Sequence, residues 1–127
     1  MTAPSPDFAK PLRIFCIEDN ALIIMHLEML IEQAGHVFVG SAARFEDLRR
    51  QFDEIDFDLA LIDIDLADGR TGGEIARWLH ARGLASLFVT GQEQVAADYA
   101  DFSLGTVAKP VTADELLSKL QAGCKRG

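Results

Sequence analysis

Leu59-Ala60-Leu61-Ile62-Asp63-Ile64-Asp65 constrains the fold more than any other stretch of this chain. An unbroken apolar run gives way to two carboxylates at i, i+2. A strand with one wet face alternates apolar and polar residues. A strand in a parallel sheet covered on both faces instead reads as a continuous apolar run. Ligand sites in such sheets lie just beyond the carboxyl ends of the strands. Asp63 is therefore either a cap for the next loop or part of a site rim, and the other strand ends must decide.

Similar runs recur at regular spacing. Residues 12–17 predict a first strand that runs into Glu18-Asp19-Asn20. A helix is predicted over 20–34, stopped by Gly35, with a core stripe of Ile23, Leu27, Leu30 and Ala34. Leu22, Met25 and Met29 fall off that stripe, which predicts apolar side chains near the surface. Residues 37–40 predict a second strand and 42–52 a second helix carrying Phe45, Leu48 and Phe52 on one face. The third strand is 59–62, and 67–73 reads as a loop. The third helix spans 74–82, buried through Ile75, Trp78 and Leu79 and ended by Gly83. A fourth strand over 84–89 ends at Thr90-Gly91, and a short helix follows over 93–99. A fifth strand over 102–107 ends at Ala108-Lys109-Pro110. Thr112-Ala113-Asp114-Glu115 is then a capping box opening a last helix with Leu116, Leu117 and Leu120.

Strands alternating with helices imply right-handed βαβ units and an α/β fold. The expected architecture is a doubly wound five-stranded parallel sheet in the flavodoxin-like order 2-1-3-4-5, with five helices on both faces. The predicted organisation is a loose N-terminal tail over 1–10, one domain over 11–123, a short C-terminal tail over 124–127, and no output domain.

Charge and composition exclude several roles. With 20 acidic against 12 basic residues and a net charge of −8, the chain lacks the basic stripe that nucleic-acid binding needs. The apolar stretch 21–31 is broken by His26 and Glu28 and is too short to span a bilayer, and the first ten residues lack a signal-peptide core. Cys16 and Cys124 show no metal or redox spacing, so a reduced, cytoplasmic setting is expected. His26, His36 and His80 have no ligand partner at useful spacing.

In a parallel sheet the strand ends share one edge. Glu18-Asp19, Asp63, Thr90 and Lys109 should therefore converge there. Crowded carboxylates repel unless a cation compensates. Mg2+, which takes oxygen ligands and binds through a few carboxylates plus phosphate, suits such a rim. These residues, in this order on this alternation, resemble the receiver domain of bacterial two-component response regulators, over residues 12–122. The resemblance implies that Asp63 is the phosphoacceptor, taking a phosphoryl group from a sensor histidine kinase or a histidine phosphotransfer protein. It implies Mg2+ bound by Asp19 and Asp63, by Glu18 through water, and by the backbone carbonyl of Asp65. Thr90 and Lys109 would hold phosphoryl oxygens, and the Lys109-Pro110 bond would be cis. The output would be contact with a downstream protein whose identity the sequence leaves open, and a weak homodimer is compatible with it. Catalysis would be limited to the chain's own phosphorylation and dephosphorylation.

The chain departs from that family in places. An aromatic residue usually stands three positions before the lysine, where this chain has Thr106; Tyr99 and Phe102 are the nearby rings. Phe88-Val89-Thr90-Gly91 resembles the Phe-Ala-Thr-Gly motif of an alphaproteobacterial subgroup. Gln92 and Asp65 hold positions that in the family influence phosphoryl hydrolysis, and Leu22, Met25 and Met29 lie where family members meet the phosphodonor. Two other readings stand beside this one. Asp63-Ile64-Asp65 also resembles the Asp-x-Asp motif of haloacid-dehalogenase-type phosphohydrolases. A pseudo-receiver would bind partners without phosphorylation.

Overall fold

The computed structural model describes residues 11–126, so the predicted N-terminal tail lies outside the described residues. Five parallel strands, β1 (Arg13–Ile17), β2 (Val37–Ala42), β3 (Leu59–Ile62), β4 (Ala85–Thr90) and β5 (Thr106–Ala108), form one sheet in the order β2-β1-β3-β4-β5. Helices α1 (Ala21–Gln33), α2 (Phe45–Gln51), α3 (Gly72–His80), α4 (Glu93–Ala97) and α5 (Ala113–Arg126) connect and cover them. The expected order and helix count are both present.

The period-2 geometry of the strands splits the core into two layers. Ile14 and Cys16 of β1, Leu59 and Leu61 of β3, and Leu87 and Val89 of β4 pack with Leu27, Leu30 and Ile31 of α1 and with Leu116 and Leu120 of α5. The alternate residues Phe15, Ile17, Ala60, Ile62 and Phe88 pack on the opposite face with Leu48, Ile75, Leu79 and Ala96. This double burial explains the unbroken apolar runs.

Several predicted boundaries move for physical reasons. Asn20 caps α1 rather than joining it; its side chain accepts the N–H of Leu22 at 2.9 Å and of Ile23 at 3.3 Å. The buried stripe of α1 is Leu27, Leu30 and Ile31, while Ile23 and Ala34 are only half-buried. Ile31 belongs to the stripe because an i, i+3, i+4 face is wider than the single row drawn from the sequence. Leu22, Met25 and Met29 are exposed, as expected.

Strand β2 runs on to Ala42, so α2 opens at Phe45. The β1–β2 register shifts between Ile14 and Phe15, and Gly40 lies under the Phe15 ring at φ +147°. Helix α3 opens at Gly72, inside the segment predicted as loop. Strand β5 is only three residues long, and Phe102 sits in a 3-10 turn over Ala100–Phe102 rather than in a strand. Helix α4 ends at Ala97, short of the predicted 99, and α5 continues past the predicted boundary at 123. No helix among the described residues is long and apolar enough to cross a membrane.

Candidate functional site

The strand ends bring the predicted polar residues together. Glu18 follows β1 and Asp63 follows β3; their backbones are fixed by Glu18 N–H to Ala42 O and Asp63 N–H to Ile17 O, each at 2.9 Å. Both carboxylates are buried, with residue exposures of 2% and 7%. Lys109, just beyond β5, is tied back by its N–H to Thr90 O at 3.2 Å. Its Nζ lies 2.9 Å from Glu18 Oε1 and 2.9 Å from Asp63 Oδ2. The Lys109-Pro110 bond is cis.

Charge and burial compete at this centre. Burial pushes the Glu18 carboxyl above the ordinary carboxylate range; the Lys109 hydrogen bond pulls it back only in part, and the neighbouring Asp63 charge adds to the rise. Burial alone would lower the Lys109 ammonium. Its hydrogen bonds to Asp63 and Glu18, with their charges, outweigh that and hold it above its usual value. Lys109 thus stays a positive charge between the two acids.

Glu18 is mostly committed to the chain itself. Its Oε2 accepts the N–H of Asp19 and of Asn20, both at 3.1 Å, while Oε1 takes Lys109. Asp19 is exposed, and among the described residues its carboxylate has no hydrogen bond or ion pair. One carboxylate oxygen from each of Glu18, Asp19 and Asp63 lies within 4.8 Å of the others. Three carboxylates against one ammonium leave negative charge uncompensated, and every donor is a hard oxygen. That set fits a divalent cation such as Mg2+.

The remaining predicted residues take distinct places. Thr90, fully buried at the end of β4, accepts the Gln92 N–H through Oγ1 at 2.9 Å. The Asp65 side chain is half-exposed and engaged by Arg70 Nε at 3.2 Å and by the Gln92 side-chain amide at 3.0 Å. This commits the Gln92 amide to Asp65. Thr106 is half-buried on β5. Tyr99 lies elsewhere: its hydroxyl donates to Glu74 Oε2 at 3.1 Å, and its ring covers Gly73 so closely that a Cβ there would overlap it. His36 is buried, and its Nδ1 accepts the Leu12 N–H at 3.0 Å; His26 and His80 are exposed.

The sequence reading missed the glycine pair that backs the site. Gly72 N–H donates to Ile64 O at 3.2 Å, and a Cβ on Gly72 would overlap the Asp63 carbonyl and come within 2.7 Å of Ile64 Cα. Two adjacent glycines just before a helical apolar pattern were the available signal. They read as loop because glycine is a helix breaker, yet close backbone approach requires them here.

A family model described as the response regulator receiver domain matches residues 14–121. The transcriptional regulatory protein PhoP of Escherichia coli is 30% identical over 119 residues, which are 91% of this chain and 53% of PhoP. The chain thus spans about half the length of the curated relatives it matches. Among solved structures, the signal receiver domain of a modulated diguanylate cyclase from Desulfovibrio desulfuricans aligns with a TM-score of 0.82 at 26% identity, covering 92% of this chain and 96% of that one. The receiver domain of the PhyR response regulator from Erythrobacter litoralis aligns with a TM-score of 0.78 at 25% identity, covering 90% of each.

Proposed function

The chain belongs to the response regulator receiver domain family, and from that membership we propose that Asp63 accepts a phosphoryl group from a phosphohistidine on a sensor kinase or phosphotransfer protein. The observation that carries this is the Lys109 ammonium bridging Glu18 and Asp63 at 2.9 Å each, with Asp19 alongside. Asp63 Oδ2 holds Lys109, which leaves Oδ1 to attack. A bond forms between that oxygen and phosphorus, the phosphorus–nitrogen bond breaks, and the donor imidazole leaves with the bonding pair and takes up a proton.

In such transfers positioning and charge stabilisation do most of the work. Asp19 and Asp63, with Glu18 through water and the Asp65 carbonyl, would hold Mg2+, which offsets charge on the phosphoryl oxygens. Lys109 would supply a second positive charge to those oxygens. Thr90 donates its hydroxyl proton to a phosphoryl oxygen while still accepting the Gln92 N–H. Glu18, pinned by two backbone N–H groups, aims Lys109. The output is contact with a further protein, biased by the charge added at Asp63. The exposed Leu22, Met25 and Met29 of α1 form the apolar part of the phosphodonor contact.

Intact mass after incubation with acetyl phosphate and Mg2+ tests the reading. Wild type should gain the mass of one phosphoryl group and Asp63→Asn none. An adduct on both proteins would move the acceptor elsewhere. No adduct on either would favour a pseudo-receiver that binds partners unphosphorylated. Turnover of a phosphate ester would instead favour the phosphohydrolase reading.

A further inference from the structure

Outside the strand-end site, the arginines with described side chains divide into two groups. Arg13, Arg44, Arg50, Arg70 and Arg77 each reach a carboxylate. Arg49 and Arg82 make no ion pair among the described residues, in a chain whose net charge is −8. Each instead lies over an aromatic ring. The Arg49 guanidinium is 4.4 Å from the Phe45 ring centroid, and that of Arg82 is 3.7 Å from the Trp78 centroid.

The two rings touch one another. Phe45 meets Trp78 edge-on at 5.6 Å, and Phe52 supports Trp78 from the side at 4.8 Å. The result is a continuous row, Arg49-Phe45-Trp78-Arg82, along α2 and the end of α3. The guanidiniums are exposed and the rings half-buried. Arg82 is fixed further by donating from Nη1 to the Trp78 carbonyl at 3.0 Å.

A guanidinium lying over a ring loses less freedom when it forms hydrogen bonds, because its planar fork is already oriented. Its remaining N–H groups match a carboxylate in bidentate geometry. Rings beside it add apolar area of the kind that anchors protein interfaces. Of the acids on α2, Glu46 and Asp47 are paired with Arg50 and Arg44.

We propose that the Arg49-Phe45-Trp78-Arg82 row is a docking surface for an acidic segment of a partner protein, with two of its Asp or Glu carboxylates taken by the two guanidiniums. A nucleic acid is the poorer occupant, because it presents a long run of phosphates to a chain of net charge −8 that offers this pair of arginines without an ion pair among the described residues. The proposal stands on a different face from the strand-end site and does not depend on phosphorylation of Asp63.

The experiment uses a short fluorescein-labelled peptide rich in Glu with one Leu, compared with the same peptide carrying Gln in place of Glu. Anisotropy measures binding. Emission from Trp78, the single tryptophan of the chain, locates it. The Glu peptide should bind wild type and change Trp78 emission, and raising the salt should weaken it. The double variant Arg49→Gln/Arg82→Gln should lose at least about tenfold in affinity, a factor worth about 1.4 kcal/mol. Arg49→Lys/Arg82→Lys should recover only part, because charge returns without the fork. Thermal melts of both variants check that folding is intact. Equal binding of the Gln peptide, unchanged affinity in the double Gln variant, or no binding of the Glu peptide would each overturn the proposal. Tighter binding of a DNA duplex than of the Glu peptide at the same salt would overturn the acidic-protein occupant.

Discussion

The crevice at the strand ends has one half built from β1 and β3 and another built around β4 and β5. In the first half, every residue of β3 and all of β1 after Arg13 is buried, and the backbones of Glu18 and Asp63 are bonded to their neighbours in the sheet. Glu18 uses both carboxylate oxygens on groups of the chain itself. In the second half β4 is equally buried, but β5 has three residues, of which only Val107 is buried, and α4 has five residues. There, Gln92 is held to Asp65 by an exposed side-chain hydrogen bond and Tyr99 to Glu74 by a part-buried one. Segments with few buried apolar contacts open most easily. The first half therefore fixes charge in place, while the second can exchange its contacts.

Gly72 and Gly73 give the sharpest way to break this comparison, because neighbours in sequence face the two halves. Gly72 lies against the Asp63 carbonyl and Ile64 Cα, backbone atoms just past β3 that cannot swing aside as a side chain can. Gly73 lies against the Tyr99 ring, a half-buried side chain that can swing outward. Gly72→Ala should destabilise by about 3 kcal/mol, the upper range for overpacking. Gly73→Ala should cost about 1 kcal/mol or less, since the helix-propensity gain of alanine offsets part of the displacement. Urea denaturation of the two variants measures both. Equal costs would mean that the Tyr99 side is as rigid as the acceptor strand.

Lys109 joins the two halves, rising from the end of β5 to the acids of β1 and β3, and its removal should have the next largest effect. Lys109→Met leaves two buried carboxylates facing each other without a counter-charge. Breaking a buried pair costs about 3–5 kcal/mol. With its side chain 24% exposed, Lys109 is partly wet, so a loss of about 2 kcal/mol is expected in EDTA. Millimolar Mg2+ should return part of it if Glu18, Asp19 and Asp63 hold the ion, because binding to the folded state stabilises by mass action. A destabilisation that ignores Mg2+ would argue against that ligand set.

The same division governs how much the sequence discloses. Residues 59–62 and their acids are legible because double burial forces an unbroken apolar run, and a polar residue can appear only where the strand leaves the core. The order of such runs is enough to place Glu18, Asp63, Thr90 and Lys109 on one edge. The β4–β5 side reads poorly. Phe102 and Leu104 look like strand residues, but the chain there makes single backbone bonds, such as Leu104 N–H to Ser86 O at 2.7 Å, before the ladder begins at Thr106. Gly72-Gly73 carries a loop signal because its reason is contact with residues distant in sequence. The Tyr99–Glu74 bond and the Arg49-Phe45-Trp78-Arg82 row are likewise pairings through space, with no local periodicity to announce them.

The smallest predicted effect tests the rigid half at its far end. His36 is buried at the start of β2, and its Nδ1 receives the Leu12 N–H ahead of β1. Burial lowers its pKa below the ordinary histidine value. The unfolded chain takes up a proton as pH falls through about 6.5, whereas the folded chain resists until lower pH. Between those two values the unfolded state binds more protons, so stability rises with pH. The contribution is complete above about pH 6.5 and is lost as pH falls through the lowered native pKa. A single proton limits the slope to about 1.4 kcal/mol per pH unit. His36→Asn keeps an acceptor for the Leu12 N–H and removes the titration. Its stability difference from wild type should therefore shift in favour of the variant between about pH 7.5 and pH 5.5. Urea midpoints at the two pH values measure the shift; a difference that stays constant would show that His36 does not couple protonation to the β1–β2 edge.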